Sequence, residues 1–184
     1  MSSSPVHRAG RRYTVRQFTA LRPDERHRYE LDEGALSVSP PPAPLHMRVL
    51  GRLFARVEAQ VPADLAVFLE IGVELPGSTV RVPDLSVTAA GIDLGSPLVN
   101  AADVRLVVEV VSPGSRRIDR LRKPAQYARA GIRHFWLVEP EPPVTVTAYT
   151  LVAGGYKESL HVVGGTLEVA DPCPLRLDLD CLAP

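Results

Sequence analysis

The most apolar segment of the chain with strand character is Val104-Arg105-Leu106-Val107-Val108-Glu109-Val110-Val111. Its β-branched residues favour a strand, and its nearly continuous apolar character predicts a central strand that is covered on both faces of a sheet. Glu109 stands out because an unpaired ionised carboxylate at such a position would cost several kcal/mol. The carboxylate must therefore be paired, protonated or bound to a cation.

The residues around this strand predict short elements divided by eighteen prolines and thirteen glycines. Apolar residues at helical spacing predict a helix over 45–60. A basic helix is expected over 117–130, with its regular part beginning near Arg122 because Pro124 is tolerated only in a first turn. The other expected elements are a short helix at 15–21, a hairpin of 28–31 and 35–39, and strands at 66–75, 80–88, 134–138, 144–151 and 156–163. The sum is an α+β fold with a central mixed sheet flanked by helices.

Composition indicates one ordinary globular unit, because 184 residues with 45% hydrophobic and 23% charged side chains suit a single domain. We expect residues 1–12 to form a flexible basic tail and residues 13–184 to form that domain. Twenty-one basic side chains balance twenty-one acidic ones, so nucleic-acid binding would need a local patch. Neither a membrane span nor a secretory signal is recognisable, so we expect a cytoplasmic protein without a membrane partner. Cys173 and Cys181 are expected to be unpaired thiols.

Two more carboxylates stand in apolar surroundings. Asp84 lies within Arg81-Val82-Pro83-Asp84-Leu85-Ser86-Val87, and Glu30 lies between Tyr29 and Leu31. An arginine or a backbone amide could satisfy any one of the three carboxylates. On strands that adjoin, however, a shared cation explains all three together. Oxygen ligands of this kind favour Mg²⁺ or Mn²⁺.

These residues resemble the PD-(D/E)XK nuclease superfamily, in which a Pro-Asp pair precedes a glutamate in an apolar strand. More closely, the chain is similar to the Uma-two-type restriction endonucleases over about 13–156. The residues and motifs that carry this similarity are, in order, Tyr29-Glu30-Leu31, Asp32-Glu33-Gly34, Ser39-Pro40-Pro41, His46, Val82-Pro83-Asp84-Leu85, Val108-Glu109-Val110-Val111-Ser112-Pro113, Asp119, Lys123, Tyr127-Ala128, Gly131 and Phe135-Trp136.

The resemblance implies a restriction-endonuclease-like fold and metal-assisted hydrolysis of phosphodiester bonds, with Mg²⁺ or Mn²⁺ as the cofactor. It implies that Asp84 and Glu109 hold the metal and that the backbone carbonyl of Val110 adds a ligand. Glu30 would complete the acidic cluster or hold a second metal.

The chain departs from the superfamily at the lysine that usually stands two positions after the glutamate, where it has Val111. The resemblance points to Lys123, on the following helix, as the replacement. The chain has only two lysines, Lys123 and Lys157, among its basic residues. The alternatives for Lys123 are a solvated charge on a surface helix and a simple ion pair with Asp119, four residues earlier.

Two further features are predicted to lie near the phosphate of the substrate. His46, at the start of the helix over 45–60, is expected to act as a proton relay or a phosphate contact, with a capping or exposed histidine as the alternative. The basic residues of the segment 116–133, Arg117 and Arg120 among them, could follow a phosphate backbone, with a solubilising helix face as the alternative. Tyr127 and Trp136 are expected in the core or an interface rather than at stacked bases.

The leading hypothesis is a metal-dependent endonuclease that acts on nucleic acid, most simply DNA, and that would form a homodimer if it cuts both strands. The second is a catalytically inactive nuclease-fold module that binds nucleic acid or protein, and Val111 keeps it open. The third is a glycoside hydrolase with a carboxylate pair, which an aromatic content of only 5% disfavours.

Overall fold

The structure is a computed structural model that describes residues 11–21, 27–112 and 118–184. Within these ranges the α-helices are α1 (Val15–Thr19), α2 (Pro44–Glu58) and α3 (Lys123–Arg129). A π-helical turn, Ile118–Arg122, leads directly into α3, and Pro124 lies in the first turn of that helix as predicted. The boundaries of α2 and α3 therefore follow the predicted helices closely.

Most of the strands belong to two sheets. In chain order they are β1 (Arg28–Asp32), β2 (Ala35–Ser39), β3 (Leu65–Leu69), β4 (Val73–Leu75), β5 (Thr79–Arg81), β6 (Leu85–Ala89), β7 (Val99–Asn100), β8 (Val104–Val110), β9 (His134–Glu139), β10 (Thr145–Val152), β11 (Gly155–Val163), β12 (Thr166–Val169) and β13 (Leu175–Asp178). The first sheet has the order β2-β1-β5-β4-β7, and the second has the order β11-β10-β9-β8-β6-β3. The remaining pair, β12 and β13, forms a hairpin.

The strand β8 occupies the centre of the second sheet, parallel to β9 and antiparallel to β6. Its side chains alternate between two cores. Leu106 and Val108 pack into the core that includes α2, whereas Val107 packs into the core that includes Tyr127 of α3. The prediction of a central strand that is covered on both faces is confirmed, and so is the α+β class.

The prediction of single strands over 66–75 and 80–88 is wrong, because each of these segments is divided between the two sheets. The first segment breaks after β3 at Glu70, whose φ of 52° lies in the left-handed region. The second breaks at Pro83, because a proline cannot donate a hydrogen bond to a ladder. The chain therefore passes from the first sheet to the second at Pro83-Asp84.

Three further features of the described chain bear on the sequence predictions. Arg12 forms an isolated bridge with Ala35, so the chain already contacts the β1–β2 hairpin within the segment predicted as a flexible tail. Cys173 and Cys181 are free thiols, as predicted. Among the described residues, none of the helices has the length and apolar character that a membrane crossing requires.

Shortening Leu53 tests the role of α2 in the main core. The Leu53 side chain is fully buried, so Leu53→Ala should lower the free energy of unfolding by about 2–5 kcal/mol through lost contacts and a residual cavity. Urea denaturation followed by circular dichroism measures this loss. Met47→Ala, an exposed position on the same helix, should change the free energy by no more than about 0.5 kcal/mol. Equal losses in the two variants would contradict the assigned core.

Candidate active site

Strand pairing brings the predicted acidic residues together. The register of β6 with β8 pairs Leu85 with Val108, so Asp84, immediately before β6, lies beside Glu109 near the end of β8. Glu30 comes from β1 in the first sheet, and Lys123 is the first residue of α3. All four residues line one cavity of about 290 Å³, so the three carboxylates share one site rather than separate faces of a sheet.

The Asp84 carboxylate is held on both of its oxygens. Oδ2 accepts a hydrogen bond from the backbone N–H of Val110 (2.7 Å) and lies 3.1 Å from Nε2 of His46, while Oδ1 accepts a hydrogen bond from Arg28 (2.8 Å). Burial by itself would raise the pKa of Asp84, but the hydrogen bond with His46 and the charge of Arg28 hold this pKa below its ordinary value. Asp84 is therefore an ionised and well oriented carboxylate.

The Glu109 carboxylate is only 1% exposed and contacts α3 through both oxygens. Oε2 accepts a hydrogen bond from Nζ of Lys123 at 2.7 Å, and Oε1 accepts one from the hydroxyl of Tyr127 at 2.5 Å. Burial raises the pKa of Glu109 to about 8; the Lys123 ammonium opposes this shift, and the nearby Asp84, Asp119 and Glu30 carboxylates reinforce it. Burial and the neighbouring carboxylates thus disfavour ionisation of Glu109.

Lys123 is buried among carboxylates. Its Nζ lies 2.7 Å from Glu109, 3.1 Å from Asp119 and 3.9 Å from Glu30. Burial would lower the pKa of Lys123, but the Glu109, Glu30 and Asp119 charges outweigh it, and the pKa is raised. The alternative of a solvated surface lysine is wrong, because this side chain is 5% exposed. The predicted pair with Asp119 does form, and the contact with Glu109 is shorter.

Glu30 is oriented by the neighbouring strand β5. Its Oε1 accepts a hydrogen bond from the backbone N–H of Val82 (2.9 Å), and its Oε2 accepts one from Arg81 (3.1 Å). The buried Arg81 guanidinium also donates to Gln126 of α3 (2.8 Å) and lies 3.0 Å from Asp32. This network connects the first sheet to α3 behind the cavity.

Sequence reasoning did not identify Arg28, Arg81 or Asp119 as site residues. Arg28 lines the cavity and connects Asp84 to Glu70, whose carboxylate lies 2.5 Å from the guanidinium. Asp119 also lines the cavity and is 2% exposed, and its Oδ1 lies 3.1 Å from Nζ of Lys123. The only sequence signal for Arg81 was its position in an apolar strand just before Pro83-Asp84.

The structure supports the predictions for the accessory residues to different degrees. His46 is 4% exposed and lines the cavity, so the alternative of an exposed histidine is wrong, while its chemical role stays a prediction. Arg120 does not line this cavity and forms an ion pair with Glu139. Arg117 lies outside the described residues. Tyr127 and Trp136 are buried in the two cores, as predicted.

The basic stripe expected along α3 is largely neutralised by acidic partners. Arg122 lies 3.0 Å from Asp32 and 3.8 Å from Glu33, and Arg129 lies 3.5 Å from Glu33. Lys123 is turned inward and Arg120 is paired, whereas Arg133, at the end of the segment, is exposed. The role of this segment along a phosphate backbone stays a prediction.

The donor chemistry of the cavity suits a hard divalent cation, since four carboxylates (Glu30, Asp84, Glu109 and Asp119) line it. Burial and the neighbouring carboxylates raise the pKa of Glu109, and a bound cation would favour its ionised form. Among the described residues, however, no three His, Cys, Asp or Glu side chains already form a metal-binding arrangement. Arg28 and Lys123 supply the positive charge next to Asp84 and Glu109.

The two sheets, the helices on them and the acidic cavity with its lysine define a protein with a restriction-endonuclease-like fold. The chain belongs to the family described as "Uma2: Putative restriction endonuclease", which matches residues 15–180. Membership in this family supports a nuclease function.

The solved structures include one whose fold is similar to that of this chain. It is described as a "putative nuclease belonging to DUF820 from Anabaena variabilis ATCC 29413". The TM-score is 0.72 at 20% sequence identity, and the match covers 92% of this chain and 97% of that one. No curated protein matches the chain significantly.

The raised pKa of Glu109 predicts a pH-dependent stability. Below its ordinary pKa of 4.5 the carboxyl is protonated in both the folded and the unfolded chain, so its contribution to stability is complete. As the pH rises towards about 8, the unfolded chain releases this proton first, and the contribution is lost. Relative to Glu109→Gln, the wild-type protein should therefore lose stability between pH 5 and pH 8.

Urea denaturation at several pH values measures this difference. Glu58→Gln, at an exposed position at the end of α2, is the control for the loss of one carboxylate. A difference between wild type and Glu109→Gln that stays constant from pH 5 to pH 8 would argue against the raised pKa.

Proposed function

We propose that the protein is an endonuclease that hydrolyses phosphodiester bonds of DNA and depends on Mg²⁺ or Mn²⁺. The observation that carries the proposal is the position of Lys123, whose ammonium lies 2.7 Å from Glu109 in the cavity that Asp84 also lines. The chain has Val111 where the superfamily usually has its lysine, and α3 supplies an ammonium from another direction. Family membership supports nuclease activity, and the metal and the DNA substrate are our additions to it.

In this proposal the Asp84 and Glu109 carboxylates and the backbone carbonyl of Val110 hold the cation, with Glu30 completing the acidic set. When bound, the cation would favour ionisation of the attacking water and neutralise charge on the phosphate oxygens. Arg28 and Lys123 contact the same carboxylates, so both side chains would share or exchange these contacts when the cation and the phosphate enter.

The protein's own residues would contribute orientation and charge. The raised pKa keeps Lys123 protonated, so its ammonium would stabilise the negative charge that grows on the phosphate during attack. The Val110 N–H and His46 orient Asp84, and the Tyr127 hydroxyl orients Glu109. These buried hydrogen bonds hold Asp84 and Glu109 in defined orientations.

We propose further that nucleic acid is the main partner and that cleavage of both strands of a duplex would require a symmetric homodimer. We also propose that the protein is located in the cytoplasm.

A second candidate function is a nuclease-fold module that binds nucleic acid or protein without cleaving it. The observation in its favour is that each central carboxylate already has an internal positive partner. The pairs are Arg28 with Asp84, Arg81 with Glu30, and Lys123 with Glu109. Such a module would bind its partner equally well in the presence of a chelator.

Cleavage assays with plasmid and with single-stranded DNA test the first proposal. We expect cutting in Mn²⁺ or Mg²⁺, none in EDTA, and none with Asp84→Ala, because that variant removes a central oxygen ligand. Asp103→Ala, outside the cavity, is the matched control and should cut normally. The absence of cutting by a folded wild-type protein, together with unchanged DNA binding in EDTA, would favour the binding module instead.

The two lysines of the chain provide a matched pair of variants for the charge-stabilising role. Lys123→Met should lower kcat by about 10²–10³-fold, the usual cost of removing one group that stabilises transition-state charge. Lys157→Met changes an exposed side chain of β11 and should leave kcat unchanged. Thermal unfolding of both variants separates lost chemistry from lost folding. A folded Lys123→Met protein with normal kcat would exclude the assigned role.

A further inference from the structure

A second cavity, of about 630 Å³, lies next to the candidate active site. Its volume falls within the range of roughly 300–1,000 Å³ that is common for ligand sites. The two cavities share part of their walls, because Arg28, Pro40, Pro41 and Pro42 line both. A chain-like ligand could therefore extend from one cavity into the other across this shared wall.

The alternation of side chains along β1 places the two cavities on opposite faces of the first sheet. Glu30 lines the active-site cavity, whereas the preceding residue, Tyr29, lines the second cavity. On the neighbouring strand the same alternation separates Arg81, which contacts Glu30, from Val80 and Val82 in the second cavity. Arg28, at the start of β1, thus forms the rim where the two faces meet.

The second cavity, which we call the aromatic cavity, is lined by Phe18, His27, Tyr29, Val82 and Leu98 among others. Phe18 and Tyr29 are half-buried, and His27 is exposed. The rings of His27 and Tyr29 meet edge to face, with centroids 6.5 Å apart and an interplanar angle of 81°. Ring faces in an open, mainly apolar cavity are the groups on which unpaired nucleobases stack.

Arg28 supplies the charge that such a ligand would need at the rim. The side chain is 20% exposed, and its described hydrogen bonds go to Asp84 and Glu70. A guanidinium has five N–H donors, so Arg28 can contact an additional anionic oxygen while it keeps these bonds. A phosphate at the shared wall, between the acidic cavity and the aromatic cavity, would thus contact Arg28.

We propose that the aromatic cavity receives the unpaired base of the nucleotide next to the phosphodiester bond that is cut, and that Arg28 contacts the phosphate of that bond. This inference rests on the proposed nuclease function and adds the class of substrate. A base within a duplex is stacked and paired, so it reaches the cavity only from a single strand, an end, or a flipped position. The enzyme should therefore prefer strands with an unpaired nucleotide at the cleavage position over intact duplex.

Short oligonucleotides that carry the fluorescent base 2-aminopurine test this inference. Binding is measured with the full chain in EDTA and in Ca²⁺, with the probe base moved along the strand. We expect quenching at one position, and roughly ten-fold weaker binding when that position is abasic, since one stacked base contributes about this factor. Tyr29→Leu and Phe18→Leu should each reduce the quenching and weaken binding similarly.

The control variant is Phe54→Leu, which makes the same change at a partly buried phenylalanine of α2 outside the aromatic cavity. Binding by Tyr29→Leu and Phe18→Leu that equals the wild type, or equal cleavage of intact duplex and unpaired strands, would overturn the inference.

Hydrolysis of the base-free diester bis(p-nitrophenyl) phosphate separates the two proposals. Metal-dependent hydrolysis of this diester without any base-dependent binding would overturn the proposed role of the aromatic cavity in base binding. The proposed nuclease function would still stand. If neither the diester nor DNA is hydrolysed, the nuclease function itself fails, and the inference fails with it.

Discussion

The ion pair between Lys123 and Glu109 connects the centre of the second sheet to α3, and the rest of the site is arranged around it. Both side chains are almost fully removed from water. Removing two such ionisable groups from water is costly, so the pair needs close contact and additional hydrogen bonds. The 2.7 Å contact, the Tyr127 hydroxyl and the Asp119 carboxylate meet that need. The same contacts determine how closely α3 approaches β8.

Two of the remaining carboxylates of the cavity, Asp84 and Glu30, each have a basic partner from a distant part of the chain. Arg28 contacts Asp84 across 56 positions, and Arg81 contacts Glu30 across 51. The outer face of α3 repeats this pattern, because Arg122 and Arg129 contact Glu33 of the hairpin between β1 and β2. Ion pairs between groups that are close in space thus explain how a chain with equal numbers of acidic and basic residues can carry a dense acidic cluster.

Much of this site could be predicted from the sequence, because a carboxylate in an apolar strand is conspicuous without any tertiary information. Glu109 and Asp84 were identified in this way, and α2 and β8 were predictable from their apolar periodicity. The division of 66–75 and 80–88 between two sheets was not predictable, since strand partners decide whether a segment continues beyond Pro83. The positions of Arg28 and Arg81 depend on contacts across more than fifty residues, which local patterns do not encode.

The transition from β5 to β6 at Pro83-Asp84 affects when the cavity can form during folding. The cavity combines Glu30 from the first sheet, Glu109 from the second and Lys123 from α3, and Asp84 lies at the crossing between the sheets. Contacts between residues so far apart in sequence form only after long loops have closed. A nascent chain that ends before Lys123 contains Glu109 without the ammonium that contacts it, whereas Arg28 and Arg81 are already available to Asp84 and Glu30. The site therefore forms only after β1, β6, β8 and α3 have come together.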